Sequence, residues 1–233
     1  MGYEISAIRK DPYPTNPFYK VLEILKNTKV IVFDVGANTG SSIEQIKKNH
    51  TKSTIYAFEP SPRCISFLQK KYKHDNQVNI YQTGVGRREY YSYLNENECS
   101  DMNSFLSLGT QGWGKIKEKI KVPIVSLDFF TKNKKIEKVH LLKVDTQGFE
   151  MEVFKGAKGL FKKNAVGLVL FEVNFLDIYK KAPRFNELLT FFFHKNFKIV
   201  NLYDVTHISN CIGWCDILMI NPKFFKQEKQ KKS

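Results

Sequence analysis

The chain has 233 residues, 42% of them hydrophobic and 14% aromatic, enough apolar side chain for the core of one α/β domain and too little length for two. No run of about 18 apolar residues occurs, which argues against a membrane-spanning helix, and residues 1–10 lack the apolar block of a signal peptide, so a cytoplasmic protein is expected. The formal net charge of +14 favours anionic partners such as nucleic acid, a membrane surface or a phosphorylated sugar, although lysine-rich usage is also a matter of overall composition.

In chain order, residues 1–15 carry Pro12 and Pro14 and read as an irregular lead-in. A helix from Asn16 or Pro17 to about Lys26 follows, with Phe18, Val21, Leu22 and Leu25 on one face. Residues 30–33 are apolar and mostly β-branched, the pattern of a strand buried on both faces. Asp34 ends that run, Gly36 and Gly40 follow, and residues 41–49 carry helix formers. A second strand over 54–58 ends at Glu59. Pro60, Ser61 and Pro62 open a helix striped by Ile65, Phe67 and Leu68. Residues 78–82 form a short strand that leads into the turn Thr83-Gly84-Val85-Gly86.

Residues 90–94 suggest a half-exposed strand. The polar, glycine-bearing stretch 95–114 is the candidate for a mobile insertion over a site. Residues 121–127 are β-rich, with Pro123 marking an edge or near-edge strand, and 128–135 a short helix or turn. The strand 140–144 ends at Asp145, and Thr146-Gln147-Gly148 turns into a helix over 149–161, where Glu150 and Glu152 complement the helix dipole. A strand over 166–171 ends at Glu172, Val173 and Asn174. A helix over 184–194 precedes closing strands at 198–203 and 216–220, joined by a loop over 204–215.

Strands alternate with helices, and several strands are apolar throughout. The expected fold is therefore α/β, with a mostly parallel central sheet, one antiparallel strand near the C-terminus and helices on both faces. The division is a lead-in and helix over 1–28, a single domain over 29–222 and a basic, disordered tail over 223–233. Cys64, Cys99, Cys211 and Cys215 form no C-x-x-C pair and are expected as free thiols.

The strand–glycine loop–helix at 30–49 lets backbone approach a cofactor and aims helix N–H groups at it. Its glycines read G-x-x-x-G after an acid, whereas the dinucleotide pattern is G-x-G-x-x-G. An acid there would repel a pyrophosphate and suits a cationic cofactor, so S-adenosylmethionine is favoured, with Glu59 on the ribose. Asp34, Glu59, Asp145 and Glu172 all stand at carboxyl ends of strands, where open α/β sheets bind ligands. Methyl transfer would use such a set. Asp34 and Glu59 hold the cofactor, and Gly84 and Val85 border the adenine. Asp145 and Glu172 face the acceptor, as a general base or as ligands of a divalent cation joined by Asn174; the cation is not expected. His207 is an alternative base, and Tyr90, Tyr91, Tyr93 and Trp113 are candidates to stack on a sugar.

Residues 33–40 (F-D-V-G-A-N-T-G), Phe58-Glu59-Pro60, Ser126-Leu127-Asp128-Phe129, the run L-K-V-D-T-Q-G-F-E over 142–150 with V-F-K-G-A over 153–157, and Asp216-Ile217-Leu218 together resemble the FkbM-type methyltransferases. The resemblance spans roughly residues 30–220. It implies a class I methyltransferase (Rossmann-like) fold and O-methylation of a hydroxyl on a sugar, glycan or related metabolite. It places the cofactor on Asp34, Gly36, Ala37, Asn38, Gly40 and Glu59, and puts Lys143, Asp145, Gly148 and Glu150 in the second motif; Pro60, Gly84, Val85 and Asp145 complete the cofactor-binding candidates. Asp145, Glu172, Glu150 and Lys143 form the catalytic candidate set. Where family members often carry an N-x-A-like turn after the third strand, this chain has Gln82-Thr83-Gly84. The acceptor is expected to be a small molecule or glycan. Nucleic acid is the alternative, suggested by the charge, and a non-catalytic cofactor-binding module on the same fold is a third reading. Homo-oligomerisation is left open.

Overall fold

A computed structural model describes residues 16–26, 29–50 and 52–230; the lead-in over 1–15 lies outside them. The elements are α1 (Pro17–Leu25), β1 (Val30–Val35), α2 (Ser41–Asn49), β2 (Ser53–Phe58), α3 (Pro62–Lys71), β3 (Val78–Tyr81), β4 (Gly84–Val85), β5 (Tyr90–Asn97) and a 3-10 turn at Ser100–Met102. They continue as β6 (Ile116–Val125), α4 (Leu127–Lys134), β7 (Val139–Val144), α5 (Glu150–Lys155), α6 (Lys158–Lys162), β8 (Val166–Asn174), α7 (Phe185–Phe193), β9 (Lys198–Ile208), β10 (Cys211–Ile220) and α8 (Pro222–Gln230).

Seven strands form the main sheet in the order β3-β2-β1-β7-β8-β10-β9. The pairs of β1, β2, β3, β7 and β8 are parallel, and β10 runs antiparallel to both its neighbours. Neighbouring residues on each central strand face opposite layers, as a pleat requires. Phe33, Leu142 and Val169 join the core that holds Phe154, Phe171 and Phe192. Val32, Leu141 and Leu168 join the one that holds Ile43, Ile46 and Leu68. Burial on both faces is why these strands read as unbroken apolar runs. The hub of the first layer is Phe154, fully buried, whose ring meets Phe161, Phe171, Phe191 and Phe192 at centroid distances of 4.7–6.4 Å.

Local chemistry starts the helices at the expected places. Asn16 accepts from Phe18 N before Pro17, Ser61 accepts from Cys64 N before Pro62, and Ser126 accepts from Phe129 N.

Three expectations change. The helix over 149–161 is two, α5 and α6. The Gly156 carbonyl accepts from Asp128 N, and the Asp128 carboxylate accepts from Gly159 N and Leu160 N, so the chain restarts there. The strand of Pro123 is near-edge, within the expected range: β6 lies between β4 and β5 in a separate three-stranded sheet. The missing N–H is tolerated because β4 pairs only from Ile124 onward, and the Pro123 carbonyl accepts from Thr83 Oγ1. The loop expected over 204–215 is instead a continuation of β9 and β10 around a tight turn, with Ser209 at φ 55°. The tail expected to be disordered forms α8, with Phe224 buried against Gly167 and within 5.5 Å of the His140 ring. Among the described residues no helix is long and apolar enough to cross a membrane.

Candidate active site

The carboxyl ends of β1, β2, β7 and β8 open onto a cavity of about 360 Å³, within the range of small-molecule sites. The loop after β1 makes its first wall. Gly36 N and Ala37 N donate to the Phe58 carbonyl, tying the loop to the end of β2. Gly36 has φ +80°, and a Cβ there would lie 1.7 Å from the Asp145 carbonyl oxygen, so only glycine lets β1 and β7 leave the sheet this close together. Asn38 takes φ 45° and turns its N–H onto Glu59 Oε2 at 2.8 Å. Glu59 Oε1 accepts from Ser61 N at 2.8 Å. Burial pushes the Glu59 carboxyl up to about 7, against the pull of those two amides.

The stretch 95–114 does cover the site, and it is tied down. Asn38 Nδ2 donates to Asp101 Oδ1 at 2.6 Å, and Ser104 Oγ donates to the Gln147 carbonyl at 2.7 Å. Met102 packs against Ile178 and Tyr179. Asn103 lines the cavity with a buried Nδ2 that has no hydrogen-bond partner. Glu96, one turn of strand earlier, is buried and takes the Ser61 hydroxyl.

On the β7 side of the same cavity, Asp145 accepts from Gln147 Nε2 at 2.7 Å and from Lys143 Nζ at 3.3 Å. Gln147, at φ 55°, accepts in turn from the Tyr179 hydroxyl. Glu172 lines the same wall and accepts from Asn174 Nδ2 at 3.1 Å. Burial drives the Glu172 carboxyl up from its ordinary range, and Asp145, Glu150 and Asp216 reinforce the shift. Asp216 faces Glu172 across the β8–β10 register and is itself pushed up to about 7, by burial first and then by Asp145. Beyond Asn174, Trp113 and Trp214 line the mouth with ring centroids 5.6 Å apart.

Of the residues expected from sequence, Gly36, Asn38, Glu59, Pro60, Gly84, Val85, Asp145 and Glu172 line this one cavity. Ala37 and Gly40 belong to the loop and stand behind its wall: Ala37 is buried in the core, and a Cβ at Gly40 would meet Leu68 and Tyr72. Asp34 is fully buried and not part of the wall; Lys143 Nζ sits 3.4 Å from its Oδ1. Lys143 is likewise beneath the cavity floor. Burial draws its ammonium down, but Asp145, Asp34 and Asp216 outweigh that and hold it above its ordinary range. Glu150, counted among the catalytic candidates, turns inward: 1% exposed, its Oε1 accepts from Thr146 N, Thr146 Oγ1 and Gly148 N. That carboxylate closes the turn after β7, and burial pushes it up to about 7. His207 lies exposed on β9, and Tyr90, Tyr91 and Tyr93 lie on the side sheet, all outside the cavity wall.

Asp216, Gln147, Asp101, Asn103 and Trp214 were not singled out as site residues from the sequence. Asp216 stands inside a strand, and only the antiparallel register sets it beside Glu172. The four cysteines are unpaired. Among the described residues no three His, Cys, Asp or Glu side chains are grouped as a metal site would need.

A family model described as the methyltransferase FkbM domain matches residues 34–199. "Methyltransferase 1" of Beauveria bassiana (strain ARSEF 2860) is 29% identical over 142 residues, covering 54% of this chain and 57% of that protein. Among solved structures, an rRNA methylase from Streptococcus thermophilus superposes with a TM-score of 0.51 at 10% identity, over 93% of this chain and 99% of that one. The METTL16 MTase domain does so with a TM-score of 0.51 at 8% identity, over 88% and 64%. At such identities the structures show the fold alone, that of the class I methyltransferases. With the family match covering most of the chain, this protein belongs to the FkbM methyltransferase family.

Proposed function

We propose that this protein transfers a methyl group from S-adenosylmethionine to a hydroxyl of a sugar, glycan or related small acceptor. The observation that carries the reading is one cavity whose wall brings together the glycine loop, Glu59, Asp145 and Glu172.

The residues present fit the cofactor. Glu59 keeps lone pairs free for a ribose diol after accepting two backbone amides. Phe58, Gly84, Val85 and Phe105 supply apolar lining against which an adenine would rest. The unpartnered Nδ2 of Asn103 is a donor awaiting an acceptor in the same wall. When bound, the cofactor supplies a methyl group already activated on sulfonium.

The protein's own work is alignment and proton removal. Lys143 and Gln147 fix the Asp145 carboxylate, and Trp113 with Trp214 walls the acceptor's entry. Glu172, which no cation pairs among the described residues, takes the acceptor proton. A carboxyl raised above its ordinary range is the stronger base once ionised.

Titration calorimetry with S-adenosylmethionine tests the cofactor half. Binding by the wild type that weakens in Glu59→Gln is expected, and absent or equal binding by the two would remove the reading. Transfer of labelled methyl to a panel of neutral oligosaccharides tests the acceptor half. Label appearing only on amines would replace the hydroxyl by a nitrogen acceptor.

A further inference from the structure

The side sheet has a face that the cavity does not use. On β5, Leu94 lines the cavity while Tyr91 and Tyr93, on the other face of the strand, are 67% and 59% exposed. On β6, Val122 and Ile124 are buried and Lys119, Lys121 and Pro123 are exposed, as is Lys117 at a bulge where the register with β5 shifts. The antiparallel register sets Tyr91 opposite Pro123 and Tyr93 opposite Lys121, with Lys119 next along the strand. Lys121 Nζ lies 5.3 Å from the Tyr91 ring centre. Among the described residues no carboxylate pairs with Lys117, Lys119 or Lys121, and Glu118 alternates onto the other face.

We propose that this face binds a single-stranded nucleic acid, with bases stacked on Tyr91 and Tyr93 and phosphates tracked by Lys117, Lys119 and Lys121. The charge complementarity is direct. Lys119 and Lys121, at alternate strand positions, stand about 7 Å apart, and Lys117 follows at the bulge, so that uncompensated cations lie beside two exposed rings. A flat sheet that splays aromatic side chains next to a basic row is the arrangement by which bases are held without regard to sequence. Tyrosines this exposed lose apolar contact to water, and their placement together on one face is what packing alone does not require. The face opposes the cavity, so it tethers a strand rather than presenting the methylated group. It therefore stands whatever the acceptor proves to be.

The test is fluorescence anisotropy of the full chain with fluorescein-labelled dT12 and the matching uridine 12-mer across 50–300 mM salt. Affinity that falls with salt along a log–log slope near 2 is expected from three neutralised phosphates at about 0.7 each. Lys117→Gln, Lys119→Gln and Lys121→Gln together should flatten that slope. Tyr91→Ala and Tyr93→Ala should each weaken binding about fivefold or more while leaving the slope unchanged; circular dichroism melting confirms that each variant is folded. No binding at 50 mM salt overturns the proposal. So does binding that the tyrosine variants leave unchanged, which would mark a merely basic surface. Tyrosine-dependent binding of a heparin oligosaccharide with none of either oligonucleotide would overturn it in favour of an acidic glycan.

Discussion

Replacing Lys143 by methionine tests whether the floor of the site is held by one buried cation. Lys143 is 9% exposed, and its Nζ lies 3.4 Å from the fully buried Asp34 and 3.3 Å from Asp145. At an effective dielectric of about 20, one such contact is worth about 5 kcal/mol of Coulomb energy. Removing one partner of a buried pair costs about 3–5 kcal/mol, because the other charge is stranded. Only Asp34 enters that figure; the Asp145 side chain is 36% exposed, and water screens it. The cost should depend on pH. Burial already raises the Asp34 carboxyl and Lys143 holds it down, so without the ammonium it rises further. A carboxyl raised in the folded state loses stability as pH climbs through its folded value. The variant's deficit is therefore larger at pH 8 than at pH 5, because a falling pH favours the protonated, neutral form of Asp34. Urea unfolding at the two pH values measures it, and Asp34→Asn with Lys143→Met should recover much of the loss. A deficit under about 1 kcal/mol at pH 8, or one that pH does not move, would refute the reasoning.

Gly36→Ala should abolish cofactor binding and destabilise the fold by about 3 kcal/mol or more, since its Cβ would sit 1.7 Å from the Asp145 carbonyl at φ +80°; calorimetry and thermal melting read both. Glu172→Gln should lower the turnover rate and remove its pH dependence. In the wild type the rate should climb with pH as the raised carboxyl ionises, and an unaltered profile in the variant would assign the base elsewhere. Phe154→Ala should cost about 3–5 kcal/mol in denaturant unfolding, as it empties the centre of a ring cluster, without changing the affinity of whatever protein remains folded for the cofactor.

The part of this protein that was legible in the sequence is the part set by local chemistry. A β-branched run ending in an acid and then Gly36 is strand and loop in any context, and Asn16, Ser61 and Ser126 cap where such residues cap. The central strands announced their burial because both faces are covered. What was hidden depends on pairing. Pro123 sits just before the two-residue pairing with β4, so only the register tells which side of it is open. The residues over 204–215 are polar enough to read as loop, yet β9 and β10 satisfy their backbone by pairing with each other. The carboxylates behaved the same way: position at a strand end placed Asp34 on the rim, and the second motif made Glu150 a catalytic candidate, but whether a side chain faces the cavity or the interior is decided by the partners that the fold supplies, Lys143 for one and the Thr146 turn for the other.

That division of partners bears on the chemistry. Four acids crowd one end of the site with a single buried lysine among them, and Lys143 reaches Asp34 and Asp145 while Glu172 has only the Asn174 amide. Glu59 is held by two backbone amides on the β2 side of the cavity. Burial and ionised neighbours raise the cost of a further charge at Glu172 and at Asp216 opposite it, and of the two Glu172 is the one in the cavity wall. In the proposed reaction that crowding makes Glu172 the group to take the acceptor's proton, with Trp113 and Trp214 in the same wall.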